Sequence, residues 1–177
     1  MMVERLTKGD GLDRRGHEFR YHLAAGFLTM DTDMVLDAAC GTGYGMEWLF
    51  RDNDYRGVDR DLSALELGAE DRYCRGKFIE ADLDVWVPDF EFDVFVSFET
   101  LEHVKDPAHL LYVGAQARQW MILSVPVVPT KHVNEFHLHD FYPGWLEANV
   151  KSEAWEHYQT VVQPSEVSEI AVFRRVE

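Results

Sequence analysis

The sequence predicts an α/β protein built on a doubly wound, mostly parallel sheet of about seven strands that ends in an antiparallel hairpin. Short apolar runs alternate with polar segments of helical length, and one of those segments is amphipathic at helical spacing. The chain then closes on two strand-like runs joined by a short turn.

The strand-like runs are Met34 to Ala39, Tyr55 to Val58, Phe78 to Ala81, Phe92 to Phe98 and Met121 to Val125. Helices are expected between them at Tyr44 to Arg51, Leu62 to Tyr73 and Pro107 to Gln119; the middle one carries Leu62, Leu65, Ala69 and Tyr73 at steps of three and four. Parallel strands with crossover helices account for this alternation with the fewest assumptions. Ala154 to Val162 and Glu169 to Val176 break it, because only a short Pro164-containing segment joins them, which fits a hairpin. Residues 1–30 read as a polar arm and then a helix through Phe19, Leu23 and Phe27, placed to cover a site at the strand ends; 31–177 read as the core.

A chain of 177 residues with 46% hydrophobic composition is expected to form one domain with a single core. Its formal charge of -15, from 32 acids against 17 Lys and Arg, repels phosphate backbones and anionic membranes, so nucleic acid is an unfavoured partner. Two cysteines, Cys40 and Cys74, are too few for a disulfide framework, and the expected setting is reducing and cytoplasmic. No stretch approaches the ~20 apolar residues that span a bilayer, and no segment reads as a targeting signal.

The chemistry starts at Val35-Leu36-Asp37-Ala38-Ala39-Cys40-Gly41-Thr42-Gly43-Tyr44-Gly45, an apolar strand entering a glycine-rich turn and then a helix. In a doubly wound sheet that turn lies at the carboxyl ends of the central strands, where glycines let a ligand touch the backbone. Asp59 follows at the end of the second strand in Gly57-Val58-Asp59, where a carboxylate accepts from both hydroxyls of a ribose. A dinucleotide fingerprint counted from Gly41 and Gly43 needs a small residue at 46, and this chain has Met46. A donor without phosphates fits the turn better.

Leu36-Asp37-Ala38-Ala39-Cys40-Gly41-Thr42-Gly43 resembles the first motif of the Rossmann-like class I S-adenosylmethionine-dependent methyltransferases. The likeness extends through Tyr21 upstream, Gly57-Val58-Asp59, Glu80-Ala81-Asp82-Leu83, Phe92-Asp93-Val94 and Glu99-Thr100-Leu101-Glu102-His103-Val104, in the family's order and spacing. The resemblance implies that Gly41 and Gly43 flank the methionine moiety of the donor, Asp59 holds its ribose, and Asp82 with Leu83 meets its adenine. Tyr21, Asp37, Ala39, Arg60 and Phe98 complete the implied donor set. A side chain added at Gly43 is expected to enter the donor's path and leave the fold intact.

Glu99, Glu102 and His103 stand at i, i+3 and i+4, so a helical turn after the fourth strand puts them on one face. Downstream, Asn134-Glu135-Phe136-His137-Leu138-His139-Asp140-Phe141 adds His137 and His139, which project to one side of an extended segment. Carboxylates with imidazoles suit a divalent cation such as Mg2+ that lowers the pKa of an acceptor hydroxyl. The cluster is similar to the metal-binding Glu-x-x-Glu-His of ubiquinone-biosynthesis O-methyltransferases and small-RNA 3′-terminal methyltransferases, although the longer histidine motif of the RNA enzymes is not recognisable. Glu99, Glu102, His103 and His137 are the candidate ligands. Two other readings stand beside metal: His103 and His137 as acid-base or substrate-contacting groups, and a turn that the histidine merely orders.

The expected reaction is displacement at the sulfonium methyl by a small-molecule or sugar acceptor, at oxygen, with side chains positioning the reactants and removing a proton. An RNA-terminal methyltransferase, a silent donor-binding module and a nicotinamide enzyme are the alternatives. A basic groove marks the first, a missing acceptor pocket the second, and nicotinamide binding despite Met46 the third.

Overall fold

The computed structural model describes residues 12–50, 53–61, 77–150, 152–164 and 167–176. The helix expected over Leu62 to Tyr73, the arm before residue 12 and Cys74 lie outside the described residues.

In chain order the elements are α1 (Leu12–Ala25), β1 (Met34–Ala38), α2 (Met46–Leu49), β2 (Asp54–Asp59), β3 (Lys77–Glu80), β4 (Val94–Phe98), α3 (Pro107–Gly114), β5 (Trp120–Pro126), α4 (Trp145–Val150), β6 (Trp155–Gln163) and β7 (Ser168–Arg175). One sheet holds all seven strands in the order β3-β2-β1-β4-β5-β7-β6. β1 through β5 pair in parallel, while β7 runs antiparallel to both β5 and β6. The mixed sheet with its terminal hairpin is the one the sequence predicts. β7 starts beside the end of β5, with Pro126 opposite Ser168, so the start of β7 joins the carboxyl ends of the parallel strands on one rim.

Strand alternation divides the core between the two faces of the sheet. Leu36, Phe95, Met121, Leu123, Ala171 and Phe173 join Leu110 and Val113 of α3 and Leu146 and Val150 of α4. Val35, Val94, Val96, Ile122, Ile170 and Val172 join Tyr21 and Ala24 of α1 and Met46 and Leu49 of α2. Parallel strands covered on both faces are continuously apolar, as β4 is, with every residue buried.

Local chemistry sets several boundaries. The apolar run at Phe92 becomes regular strand only at Val94, because the Asp93 carboxylate turns aside to accept from the backbone N–H of Asp33 and Met34 at 2.7 and 3.0 Å. Arg118 closes that corner with Nη2 2.8 Å from Asp93. α3 opens with Asp106 accepting from Ala108 N–H and Pro107 in the first turn. It stops at Gly114 rather than continuing to Gln119, with Ala115 as its C-cap, and Gly114 is glycine because a Cβ there would sit 2.7 Å from Met121 Sδ and 2.8 Å from Phe95. α4 has no counterpart in the sequence reading. Phe141 is buried and Trp145 packs against the core, whereas Tyr142 is exposed.

Candidate active site

The rim formed by the strand ends gathers the glycine-rich turn, Asp59, Glu99 and the histidine loop. β1 delivers the chain into the turn at Ala39, Gly41 and Gly43, all at positive φ (62°, 56° and 72°). Only the glycines adopt this without strain. No atom lies within 4 Å of where a Cβ on Gly41 would stand, so the backbone faces open space there. Gly43 differs. A Cβ on it would fall 2.4 Å from the ring of Phe78, so Gly43 is glycine to seat that ring, and an added side chain would disturb packing before it reached any ligand. This corrects the expectation that a side chain at Gly43 leaves the fold intact.

Asp59, half-buried at the end of β2, accepts from Gly41 N–H at 2.9 Å and from Asp61 N–H at 2.9 Å. It therefore shapes the turn as well as facing the crevice, a link between the two motifs with no sequence signal. Arg60 beside it is exposed. Asp82 is exposed and accepts from Asp84 N–H at 3.0 Å, while Leu83 and Phe98 are buried at 8% and 6% exposure.

Asp37 points to the α1 face, not into the turn. Its buried carboxylate accepts from Tyr55 Oη at 2.7 Å and Tyr21 Oη at 3.1 Å. Burial pushes its pKa up to about 7; the two phenols work against that rise and the Asp59 carboxylate adds to it. Burial likewise raises both phenols well above the usual tyrosine range, with the Asp37 carboxylate as the next cause. Tyr21 stands edge-on to Tyr44 and Phe98 and parallel to Trp48. A Cβ on Gly45 would collide with the Tyr21 ring, so α1 lies directly on the glycine-rich segment. Tyr55 was missed by the sequence reading, and its place on β2 next to the β1 carboxylate is the only signal for it.

The Glu-x-x-Glu-His segment does not form the expected helical face. Glu99 has φ 49°, which turns the chain sharply at the end of β4, and residues 101–105 form turns rather than helix. Its carboxylate accepts from Ser124 Oγ at 2.7 Å and Ser168 Oγ at 2.9 Å, and Arg20 Nη2 lies 3.5 Å away. Glu102, His103 and His137 do come together: one ligand atom from each lies within 4.8 Å of the others, with Glu102 buried. The rings of His103 and His137 meet edge to face at 4.6 Å.

The His103 contact to the Phe136 carbonyl at 3.2 Å fixes its tautomer. A carbonyl only accepts, so Nδ1 carries the proton and Nε2 keeps the lone pair. His137 Nδ1 lies 2.6 Å from Thr130 Oγ1. His139 departs from the expected pairing with His137. The turn before them is set by Asn134 Oδ1 accepting from Phe136 N–H, and the two rings take different partners, His137 at Thr130 and His139 through Nε2 donating to the Val104 carbonyl at 2.9 Å. His132 is exposed. The loop is pinned to the Glu102 turn by Leu138 N–H on the Glu102 carbonyl, and to itself by Asp140 accepting from Thr130 and Lys131 N–H at 2.8 and 3.0 Å.

A seven-stranded sheet in this order, with one reversed strand and a glycine-lined crevice between strand-end acids, defines a Rossmann-like α/β fold of the methyltransferase type. Residues 36–112 match the model of the family described as a methyltransferase domain. No curated protein matched. Among solved structures the chain is similar to the N-methyltransferase NodS of Bradyrhizobium japonicum in complex with S-adenosylhomocysteine, at 15% identity and a TM-score of 0.77 over 96% of this chain and 90% of that one. It is also similar to the magnesium protoporphyrin IX methyltransferase of Synechocystis PCC 6803 with bound S-adenosylmethionine, at 17% identity and a TM-score of 0.74 over 99% and 87%. The small RNA methyltransferase HEN1 shares 17% identity with a TM-score of 0.72 over 100% of this chain but 27% of that one. At such identities these likenesses speak for the fold alone.

Proposed function

We propose that this protein is a class I S-adenosylmethionine-dependent methyltransferase that transfers the methyl group to an oxygen of a small-molecule acceptor, a free or sugar hydroxyl, beside a site where Glu102, His103 and His137 would hold a divalent cation such as Mg2+. The convergence of those three ligand atoms within 4.8 Å carries the reading. The acceptor oxygen takes the methyl carbon as the carbon–sulfur bond breaks; S-adenosylhomocysteine leaves, and the hydroxyl proton passes to a base or to solvent. A cation held there would lower the pKa of the hydroxyl.

On the donor side, the open backbone at Gly41 admits the methionine tail, Asp59 accepts from the ribose, and Asp82 with Leu83 meets the adenine. Tyr21, Ala39, Gly43, Arg60 and Phe98 frame that pocket, and Asp37 acts behind it by holding Tyr21. The empty space at Gly41 and the half-buried carboxylate of Asp59 beside it support this fit. A second reading rests on the tautomer of His103, whose Nε2 lone pair suits a general base acting without metal, with His137 as its neighbour. An RNA acceptor is unfavoured by the charge of -15. A reducing, cytoplasmic setting belongs to the same proposal and is supported by the two cysteines, too few for a disulfide framework.

The test is a panel of hydroxylated small molecules assayed for S-adenosylhomocysteine formation with Mg2+, with chelator, and after readdition of the ion. Metal-dependent turnover is the expected result. Turnover indifferent to chelation favours the base reading, and turnover confined to amines removes the oxygen assignment. In parallel, Asp59→Ala should weaken S-adenosylhomocysteine binding by about 1–3 kcal/mol, and unchanged calorimetric affinity removes Asp59 from the donor site.

A further inference from the structure

Two consecutive residues of α1 reach carboxylates at the ends of two adjacent strands. Tyr21 donates to Asp37 on β1, and Arg20 approaches Glu99 just after β4. Arg20 is fully buried, its Nε donating to Gln163 Oε1 at 2.8 Å, and Gln163 in turn donates to the Gly16 carbonyl of α1 at 3.2 Å. On the far side of Glu99, Ser124 of β5 and Ser168 of β7 donate to the two carboxylate oxygens. One buried polar chain therefore runs from α1 through Glu99 into the floor of the sheet. A buried guanidinium and carboxylate are costly to desolvate, and breaking such a pair costs more than forming it returns. Glu99 also occupies a left-handed conformation that a glutamate adopts only when its surroundings hold it there.

We propose that Glu99 is a positioning residue for donor binding: through Arg20 it holds α1 against the glycine-rich turn, where the Tyr21 ring rests on Gly45. Glu99 does this without touching the donor. The Tyr21 contact and the Arg20 contact close the helix at two points, so losing either frees the helix to move away from the turn. The glycine segment would then lose the apolar cover that Tyr21 supplies. This role is separate from metal ligation, because both Glu99 oxygens are engaged by serine hydroxyls and Arg20 stands against one of them.

The test uses the full chain and three readouts: S-adenosylhomocysteine affinity by calorimetry, hydrogen exchange across residues 15–25, and Mn2+ affinity by electron paramagnetic resonance. Glu99→Gln keeps the shape and removes the charge; Arg20→Lys keeps a charge and loses the fork; Ser168→Ala deletes one donor and is the mildest, for use if the buried variants fold poorly. The expected result is faster exchange confined to α1, with β4 and β5 unchanged, and affinity for S-adenosylhomocysteine reduced roughly 5- to 30-fold in the first two variants and less in the third. The Arg20 and Glu99 losses should fall short of adding in the double variant, since both break one link. Unchanged α1 exchange in Glu99→Gln and Ser168→Ala overturns the proposal whatever the affinity does. So does a Glu99→Gln protein that keeps donor affinity and α1 protection but loses Mn2+, which would make Glu99 a ligand.

Discussion

Tyr55 on β2 donates its phenol proton to Asp37 on β1 at 2.7 Å, and the carboxylate it meets is buried beneath the helix that covers the donor turn. The pair is the shortest contact of a small polar island, completed by Tyr21, set among the apolar residues of that face. Its protonation state links the pH of the solution to the stability of the fold.

Asp37 titrates near 7 in the folded protein, against an ordinary value of 3.8. The folded state therefore binds more protons than the unfolded state between about pH 4 and 7, and stability falls as pH rises through that window. At about 1.4 kcal/mol per decade of proton affinity, the ionised carboxylate costs up to about 4 kcal/mol above pH 7. His17 on α1 has the opposite sign, because burial first and Arg20 second lower its pKa to about 3, so stability rises with pH up to its ordinary value of 6.5. Comparing variants isolates the acid. Because the two slopes oppose each other in wild type, denaturant unfolding of Asp37→Asn should show stability rising more steeply with pH between 4 and 7 than wild type does, and equal slopes in the two proteins would place the titration elsewhere.

Gly41 and Gly43 look equivalent in the sequence and are not equivalent in space. Gly43→Ala places a methyl group 2.4 Å from the Phe78 ring at φ 72°, so it should cost about 2 kcal/mol or more of stability. Gly41→Ala meets no atom within 4 Å and bears only the strain of φ 56°, about 1 kcal/mol, yet its methyl enters the open space assigned to the donor. Thermal unfolding and S-adenosylhomocysteine calorimetry on both variants should find stability lost mainly at 43 and binding lost mainly at 41.

Ala39 is the strained member of the same turn, with φ 62° and a Cβ that the left-handed conformation opposes. Ala39→Gly should raise stability by about 1 kcal/mol, read as a shift of the denaturant midpoint at constant slope. A lower midpoint would mean that the lost methyl packing outweighs the strain.

The sheet was legible because its signals are local and repeated: each apolar run became a strand, and the terminal hairpin followed from one short joint at Pro164. For the candidate site, what was legible is placement: Gly41 in the turn after β1, where the backbone demands positive φ, and Asp59 at the end of β2. The site was not legible where a side chain's direction depends on a partner far along the chain. Glu99 shares a motif with Glu102 and His103, but its left-handed φ and the hydroxyls of Ser124 and Ser168 turn it away from them. His139 lost its expected place beside His137 because its ring is held on the Val104 carbonyl, a partner far back along the chain. Tyr55 and Arg20 carry no motif, and only tertiary packing gives them their roles.

The cluster of Glu102, His103 and His137 yields the sharpest test of the acceptor chemistry. The site presents one buried carboxylate and two imidazoles, of which His103 is oriented by the Phe136 carbonyl and His137 by Thr130. Such anchoring fixes a ligand's ring, and its loss commonly costs about 10- to 100-fold in metal affinity. Wild type should bind a single Mn2+, and Glu102→Gln and His137→Gln should each lower its affinity by at least that factor while leaving S-adenosylhomocysteine affinity within about twofold, because no donor contact is removed. Thr130→Ala should weaken Mn2+ less than His137→Gln, as expected for a residue that orients a ligand. Glu99→Gln should leave Mn2+ affinity nearly intact, since its oxygens are committed to Ser124, Ser168 and Arg20. If Mn2+ binds equally well to wild type and to Glu102→Gln, the cluster is no cation site, and His103 with its Nε2 lone pair becomes the group that takes the acceptor's proton.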